Sequence, residues 1–116
     1  MVTSGSSCNH QADIDEVARK TLDCLIANVP SELPGITFLS GGQSNILATA
    51  HLDVMNKIGG FKWKLSFSYG RALQQAALKA WSGNDSNLGH AQKAFSHRAI
   101  MNMKASLGEW SESLEA

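Results

Sequence analysis

Apolar positions recur along the chain with two different periods, and the switches between them lay out the elements. Ile14, Val17, Ala18, Leu22, Leu25 and Val29 follow helical spacing. Asp13, with Glu16 three residues later, has the form of a capping box, so a helix is predicted over 13–28. Pro30 and Pro34 punctuate the loop that follows. The short run Ile36-Thr37-Phe38-Leu39 then reads as a strand, and it ends directly in Ser40-Gly41-Gly42. Ser44 is placed to cap a second helix whose stripe is Leu47, Ala50, Val54 and Ile58, stopped by Gly59-Gly60. Alternation returns with Trp63, Leu65, Phe67 and Tyr69 on one side and Lys64, Ser66 and Ser68 on the other. This second strand runs into Gly70-Arg71.

Two more helices complete the pattern. One spans 71–81, with Leu73, Ala77, Ala80 and Trp81 facing inward; the other spans 87–107, with Leu88, Ala91, Phe95, Ala99 and Met103 on its inner face. Gly83-Asn84-Asp85 is the turn between them. Residues 1–11 are rich in Ser, Gly and Asn and read as irregular, and 109–116 read as a polar, flexible tail that frays.

A helix between two strands makes the strands parallel, so both glycine turns open at the same edge of the sheet. Adjacent backbone N–H groups of the first turn, with the hydroxyl of Ser68 and the guanidinium of Arg71, then form an anion pocket suited to phosphate. Each part also has a plainer use. Ser40-Gly41-Gly42 serves equally as a tight strand-to-helix turn, which glycine makes at no steric cost. Ser68 could bond only to backbone, and Arg71 could be a solvated helix-start residue. Two arguments favour the anion. Helix N-termini preceded by glycine bind anions through free N–H groups, and a cation at a helix N-terminus is unfavourable unless an anion compensates it.

As a free-standing domain the inventory is incomplete. Parallel strands normally lie in sheets covered on both faces, and two strands alone leave unpaired edges on both sides. The pattern fits the final third of a barrel of eight parallel strands, whose phosphate site is built from the loops after the last two strands. Such a barrel needs about 250 residues, against 116 here. Ten Lys plus Arg balance ten Asp plus Glu, giving zero net charge, which argues against nucleic acid or an anionic membrane as partner. No apolar run approaches the roughly 20 residues of a membrane helix, and the first residues lack the basic and apolar regions of a signal peptide. Two cysteines, Cys8 and Cys24, read as reduced thiols of a cytosol-like compartment.

The stretches Pro34-Gly35-Ile36-Thr37-Phe38-Leu39-Ser40-Gly41-Gly42-Gln43-Ser44 and Leu65-Ser66-Phe67-Ser68-Tyr69-Gly70-Arg71-Ala72-Leu73-Gln74 closely resemble class I fructose-1,6-bisphosphate aldolase. Leu78-Lys79-Ala80-Trp81-Ser82-Gly83 and Ala105-Ser106-Leu107-Gly108 extend the likeness, which runs in order from about residue 12 onward. The resemblance implies an α/β fold, the C-terminal part of a (β/α)8 barrel spanning 1–116, here with two strands and four helices. It implies reversible cleavage of fructose 1,6-bisphosphate to dihydroxyacetone phosphate and glyceraldehyde 3-phosphate through a lysine Schiff base, an electron sink for carbon–carbon cleavage. It also implies a sugar-bisphosphate substrate, no metal or other cofactor, a homo-oligomeric full-length protein, and a cytoplasmic or plastid location. By the same analogy Ser40, Gly41 and Gly42 hold a substrate phosphate after the seventh strand, and Ser68, Gly70 and Arg71 do so after the eighth.

Departures from the family pattern define what to expect of this chain. The family lysine lies in a Lys-Pro-Asn-Met-Val-Thr stretch, and the chain opens with Met1-Val2-Thr3, so the lysine falls just before the first residue. The acid/base carboxylates of earlier strands are likewise outside it. Asn45-Ile46-Leu47 stands where acidic residues usually follow Gly-Gly-Gln-Ser, and the terminal tyrosine of many members is missing. The chain alone is therefore expected to be inactive; the alternative is a non-catalytic relative that binds a sugar phosphate or a partner. No other lysine replaces the nucleophile. Lys62 and Lys64 lie at the wrong end of a strand, and Lys20, Lys57, Lys79, Lys93 and Lys104 lie on helices. His10, His51, His90 and His97 lack metal-ligand spacing and read as exposed or half-buried. Trp63, Trp81 and Trp110 read as packing residues.

Overall fold

The computed structural model describes all 116 residues. Helix α1 covers Ile14–Asn28 and starts as its capping residue dictates, with the Asp13 carboxylate accepting from the Glu16 N–H at 2.8 Å. Strand β1 is Gly35–Phe38, helix α2 is Asn45–Ile58, and strand β2 is Lys64–Phe67. Helix α3 covers Arg71–Trp81 and helix α4 covers Leu88–Ser106, preceded by a single 3-10 turn at Asp85–Asn87. A second 3-10 turn, Glu112–Glu115, closes the chain. Residues 1–11 contain no helix or strand.

The two strands pair in parallel, Gly35 opposite Lys64 through to Phe38 opposite Phe67. The crossover between them is α2, so both strands end at one edge, as the pattern predicted. One core of 14 buried residues joins the elements, including Leu22 of α1, Phe38 of β1, Leu52 and Met55 of α2, Leu65 of β2 and Trp63 just before it. The Trp63 indole N–H donates to the Pro30 carbonyl at 2.8 Å, which pins the loop leading into β1.

Several expectations fail for packing reasons, among them Trp81, expected inward on α3 and 38% exposed. Helix α2 does not bury one stripe. It sits between α1 and α4 and touches α3 and β2, so Ala48 through Asp53 are all buried while Leu47 and Ile58 are exposed. Helix α4 keeps Ala91 of its predicted apolar stripe inward but otherwise turns a different face to the core. Ala91, Arg98, Met101, Asn102 and Ala105 are buried, whereas Leu88, Phe95 and Met103 are 51%, 43% and 49% exposed. The inner face is chosen by a polar network and by small residues that let α4 approach α2 and α3. The tail over 109–116 does not fray: Trp110 is buried and Glu115 is bonded to Arg98. Gly108, at φ +69°, permits the reversal in a conformation that other residues rarely adopt.

Candidate phosphate pocket at the strand ends

The first turn is built by the sequence that ends β1. Gly41 adopts φ +52°, a left-handed conformation that glycine takes without strain, and the Gln43 N–H donates back to the Ser40 carbonyl at 3.1 Å. Ser44 then caps α2 through its hydroxyl, which accepts from the Leu47 N–H at 3.2 Å. Ser40 is buried, while Gly41 and Gly42 are exposed. Their N–H groups make no hydrogen bond within the chain, nor do those of Asn45 and Ile46 at the start of α2.

The second turn approaches the first. The Ser68 N–H donates to the Phe38 carbonyl at 2.8 Å and extends the strand pairing by one step. Ser68, Gly70 and Arg71 are exposed. The Gly70 carbonyl accepts from Leu73 and Gln74 at 3.1 Å each, no side chain caps α3, and the Arg71 and Ala72 N–H groups are left free. The Arg71 guanidinium donates to the Gly41 carbonyl. All six residues singled out in the sequence therefore lie at one edge of the sheet, on two turns joined by a direct contact. Two helix N-termini without acidic residues in their first turns, and one arginine, give that edge a positive field.

Sequence reasoning missed the supports of this edge. The Tyr69 hydroxyl donates to the Ala48 carbonyl at 2.7 Å, tying the second turn to the first turn of α2; burial pushes its pKa well above the ordinary value. His51, read as exposed or half-buried, is 4% exposed, and its Nδ1 lies 2.5 Å from the Gln43 amide oxygen. Burial, and to a lesser degree the chain's N-terminal charge, lower its pKa below 6.5, so it is a neutral donor to Gln43 at pH 7. A cavity of about 420 Å³ lies beside this pair, between Gly42, Ser44 and His51 on one side and Thr3 and Ser4 on the other. The signal available for Tyr69 was its alternation with Ser68, which sends one side chain inward and the other out. For His51 the stripe on α2 pointed elsewhere.

No three His, Cys, Asp or Glu side chains are placed to hold a metal ion, both cysteines are free and exposed, and no helix is long and apolar enough to cross a membrane.

Comparison with known proteins shows the family and the fold. A family model described as glycolytic, fructose-bisphosphate aldolase class-I, matches residues 1–116. A probable fructose-bisphosphate aldolase class 1 of Xanthomonas axonopodis pv. citri is 53% identical over 111 residues, 95% of this chain and 33% of that protein. Fructose-bisphosphate aldolase 2 of Caenorhabditis elegans is 50% identical, over 95% of this chain and 30% of its own length. In solved structures, fructose-bisphosphate aldolase from Plasmodium falciparum, in complex with TRAP and a small-molecule inhibitor, superposes with a TM-score of 0.91 at 40% identity. That match covers 96% of this chain and 32% of the other, so two strands and four helices correspond to part of a (β/α)8 barrel. The chain thus spans about a third of the relatives it matches, and it belongs to the class I fructose-bisphosphate aldolase family.

Proposed function

We propose that this chain supplies the phosphate-binding end of an aldolase barrel that reversibly cleaves fructose 1,6-bisphosphate to dihydroxyacetone phosphate and glyceraldehyde 3-phosphate. The observation that carries the reading is the Arg71–Gly41 contact, because it brings both glycine turns and their free N–H groups to one point. In this reading Ser40, Gly41 and Gly42 bind a substrate phosphate from one side, and Ser68, Gly70 and Arg71 bind it from the other. Phosphate binding needs converging donors and positive potential rather than covalent chemistry, and these residues offer both. Bond cleavage falls to a Schiff-base lysine outside the 116 residues, with no metal required. The complete protein acts as a homo-oligomer in the cytoplasm or a plastid, and the chain by itself is inactive.

A chimera tests this. The corresponding third of the Xanthomonas aldolase is replaced by these 116 residues, and cleavage of fructose 1,6-bisphosphate is measured. The chimera is expected to be active. Arg71→Ala in it should raise KM by about tenfold to a hundredfold, the worth of a charge-assisted hydrogen bond. The isolated chain should show no cleavage and no imine trapped by borohydride. Activity of the isolated chain, or an Arg71→Ala chimera with unchanged KM, overturns the proposal.

A further inference from the structure

A closed ring of polar contacts runs from α2 through the C-terminal residues and back to α2. On α2, Asp53 is 1% exposed and its carboxylate accepts from the Trp110 N–H at 2.9 Å. Lys57 lies 2.6 Å from the other Asp53 oxygen and donates to the Trp110 carbonyl at 2.8 Å. The Trp110 indole N–H donates to one Glu115 oxygen at 2.9 Å. The other Glu115 oxygen accepts from Arg98 at 2.5 Å and from His97 at 3.1 Å. Arg98, 4% exposed, returns to α2 by donating to the Thr49 hydroxyl at 2.6 Å. Thr49 in turn donates to Asn102 at 2.8 Å, and Asn102 donates to the Arg98 carbonyl at 2.9 Å.

The ring meets α2 at Thr49 and at Asp53, one helical turn apart on a buried face. Two such anchors fix both the rotation and the axial slide of a helix, where one would fix neither. Thr49 is adjacent to Ala48, whose carbonyl holds the Tyr69 hydroxyl. The first glycine turn is attached to α2 by the chain itself through Gln43 and Ser44, and the second hangs on α2 through Tyr69. The spacing of the two turns thus depends on where the start of α2 sits.

We propose that Arg98, Asp53 and Glu115 are positioning residues for the glycine-turn pocket: the seated tail, 109–116, holds the start of α2 in the register that lets both turns grip one phosphate. The phosphate half of this inference rests on the reading under "Proposed function"; the mechanical half does not.

Two measurements on the 116-residue chain separate those halves. The first is amide hydrogen exchange by NMR, comparing the wild type with Glu115→Gln and with a chain ending at Gly108. Unseating the tail should speed exchange by about tenfold at Leu47 and Ala48, whose amides bond to Ser44, and shift the signals of Gly41, Gly42 and Gly70. Exchange in α1, at Leu22, should change much less. A tail that only adds stability would instead raise exchange evenly across α1 and α2, and that result overturns the proposal. The second is titration with inorganic phosphate. Glu115→Gln should weaken binding by about tenfold. Adding a peptide of residues 109–116 to the shortened chain should restore it, and the same peptide carrying Glu115→Gln should not. Unchanged phosphate affinity in Glu115→Gln overturns the proposal when the wild type binds. A wild type that fails to bind phosphate refutes the pocket, and the exchange pattern then decides the mechanical claim alone.

Discussion

The two glycine turns and the tail ring are both rich in polar groups, yet they treat those groups in opposite ways. At the turns, donors are left open: the N–H groups of Gly41, Gly42, Ile46 and Arg71, all on exposed residues, have no partner in the chain. In the ring, Asp53, Arg98 and Asn102 are buried and hydrogen-bonded, and Arg98 Nε alone is a buried side-chain polar atom without a partner. An open donor in water costs little and is ready for a ligand. A buried one costs about 1–3 kcal/mol if unmatched, which is why every buried side-chain polar atom of the ring but one is matched. The lesson is that in this molecule recognition and support are separate polar systems, linked through the first turns of α2.

Substitutions in the two systems should therefore differ in which observable, stability or phosphate affinity, they move most. The largest effect is expected for Arg98→Met, which leaves Glu115, its side chain 11% exposed, without its charge partner. Removing one member of a buried pair costs about 3–5 kcal/mol, measurable by urea unfolding; a loss under about 1 kcal/mol would break the distinction between the two regions. Arg71→Ala comes next and should move the other observable. Phosphate affinity should fall by about tenfold to a hundredfold, while stability, for so exposed a side chain, changes by no more than about 0.5 kcal/mol. Tyr69→Phe tests the bridge between the regions. It orphans the Ala48 carbonyl, should cost about 1–3 kcal/mol, and should also weaken phosphate binding, which a purely structural residue would not do. Ser44→Ala removes only a helix cap and should cost about 1 kcal/mol.

The smallest effect is the slope of stability with pH. Burial alone would raise the pKa of Glu115, but hydrogen bonds from Arg98, Trp110 and His97 outweigh it and hold the carboxyl below its ordinary 4.5. Its contribution is full above that value and is lost as pH falls through the lower, folded pKa. The neutral, buried His51 acts in the same direction, since below pH 6.5 the unfolded chain takes up a proton that the folded chain resists. Thermal midpoints should hold steady from pH 8 to 7 and decline from about 6.5 downward. In Glu115→Gln the decline below pH 4.5 should flatten, while the step near 6.5 remains.

Local pattern was enough to recover the four α-helices, both strands, their parallel pairing and the placement of the two glycine turns at one sheet edge. Those features are encoded by neighbours in the chain: Asp13 with Glu16, Ser44 with Leu47, alternation from Trp63 to Tyr69, and glycine where the backbone must turn. The burial of His51, Asp53, Arg98 and Asn102, the seated tail, and the inward face of α4 were not legible. Each depends on a partner far along the chain, as Arg98 does on Thr49, 49 residues away, and Trp110 on Asp53, 57 away. A helical stripe records how apolar a face is, not what it will meet. Only packing α2 against α1 and α4 at once could decide that a polar face would be buried, because only there do its hydrogen bonds find partners.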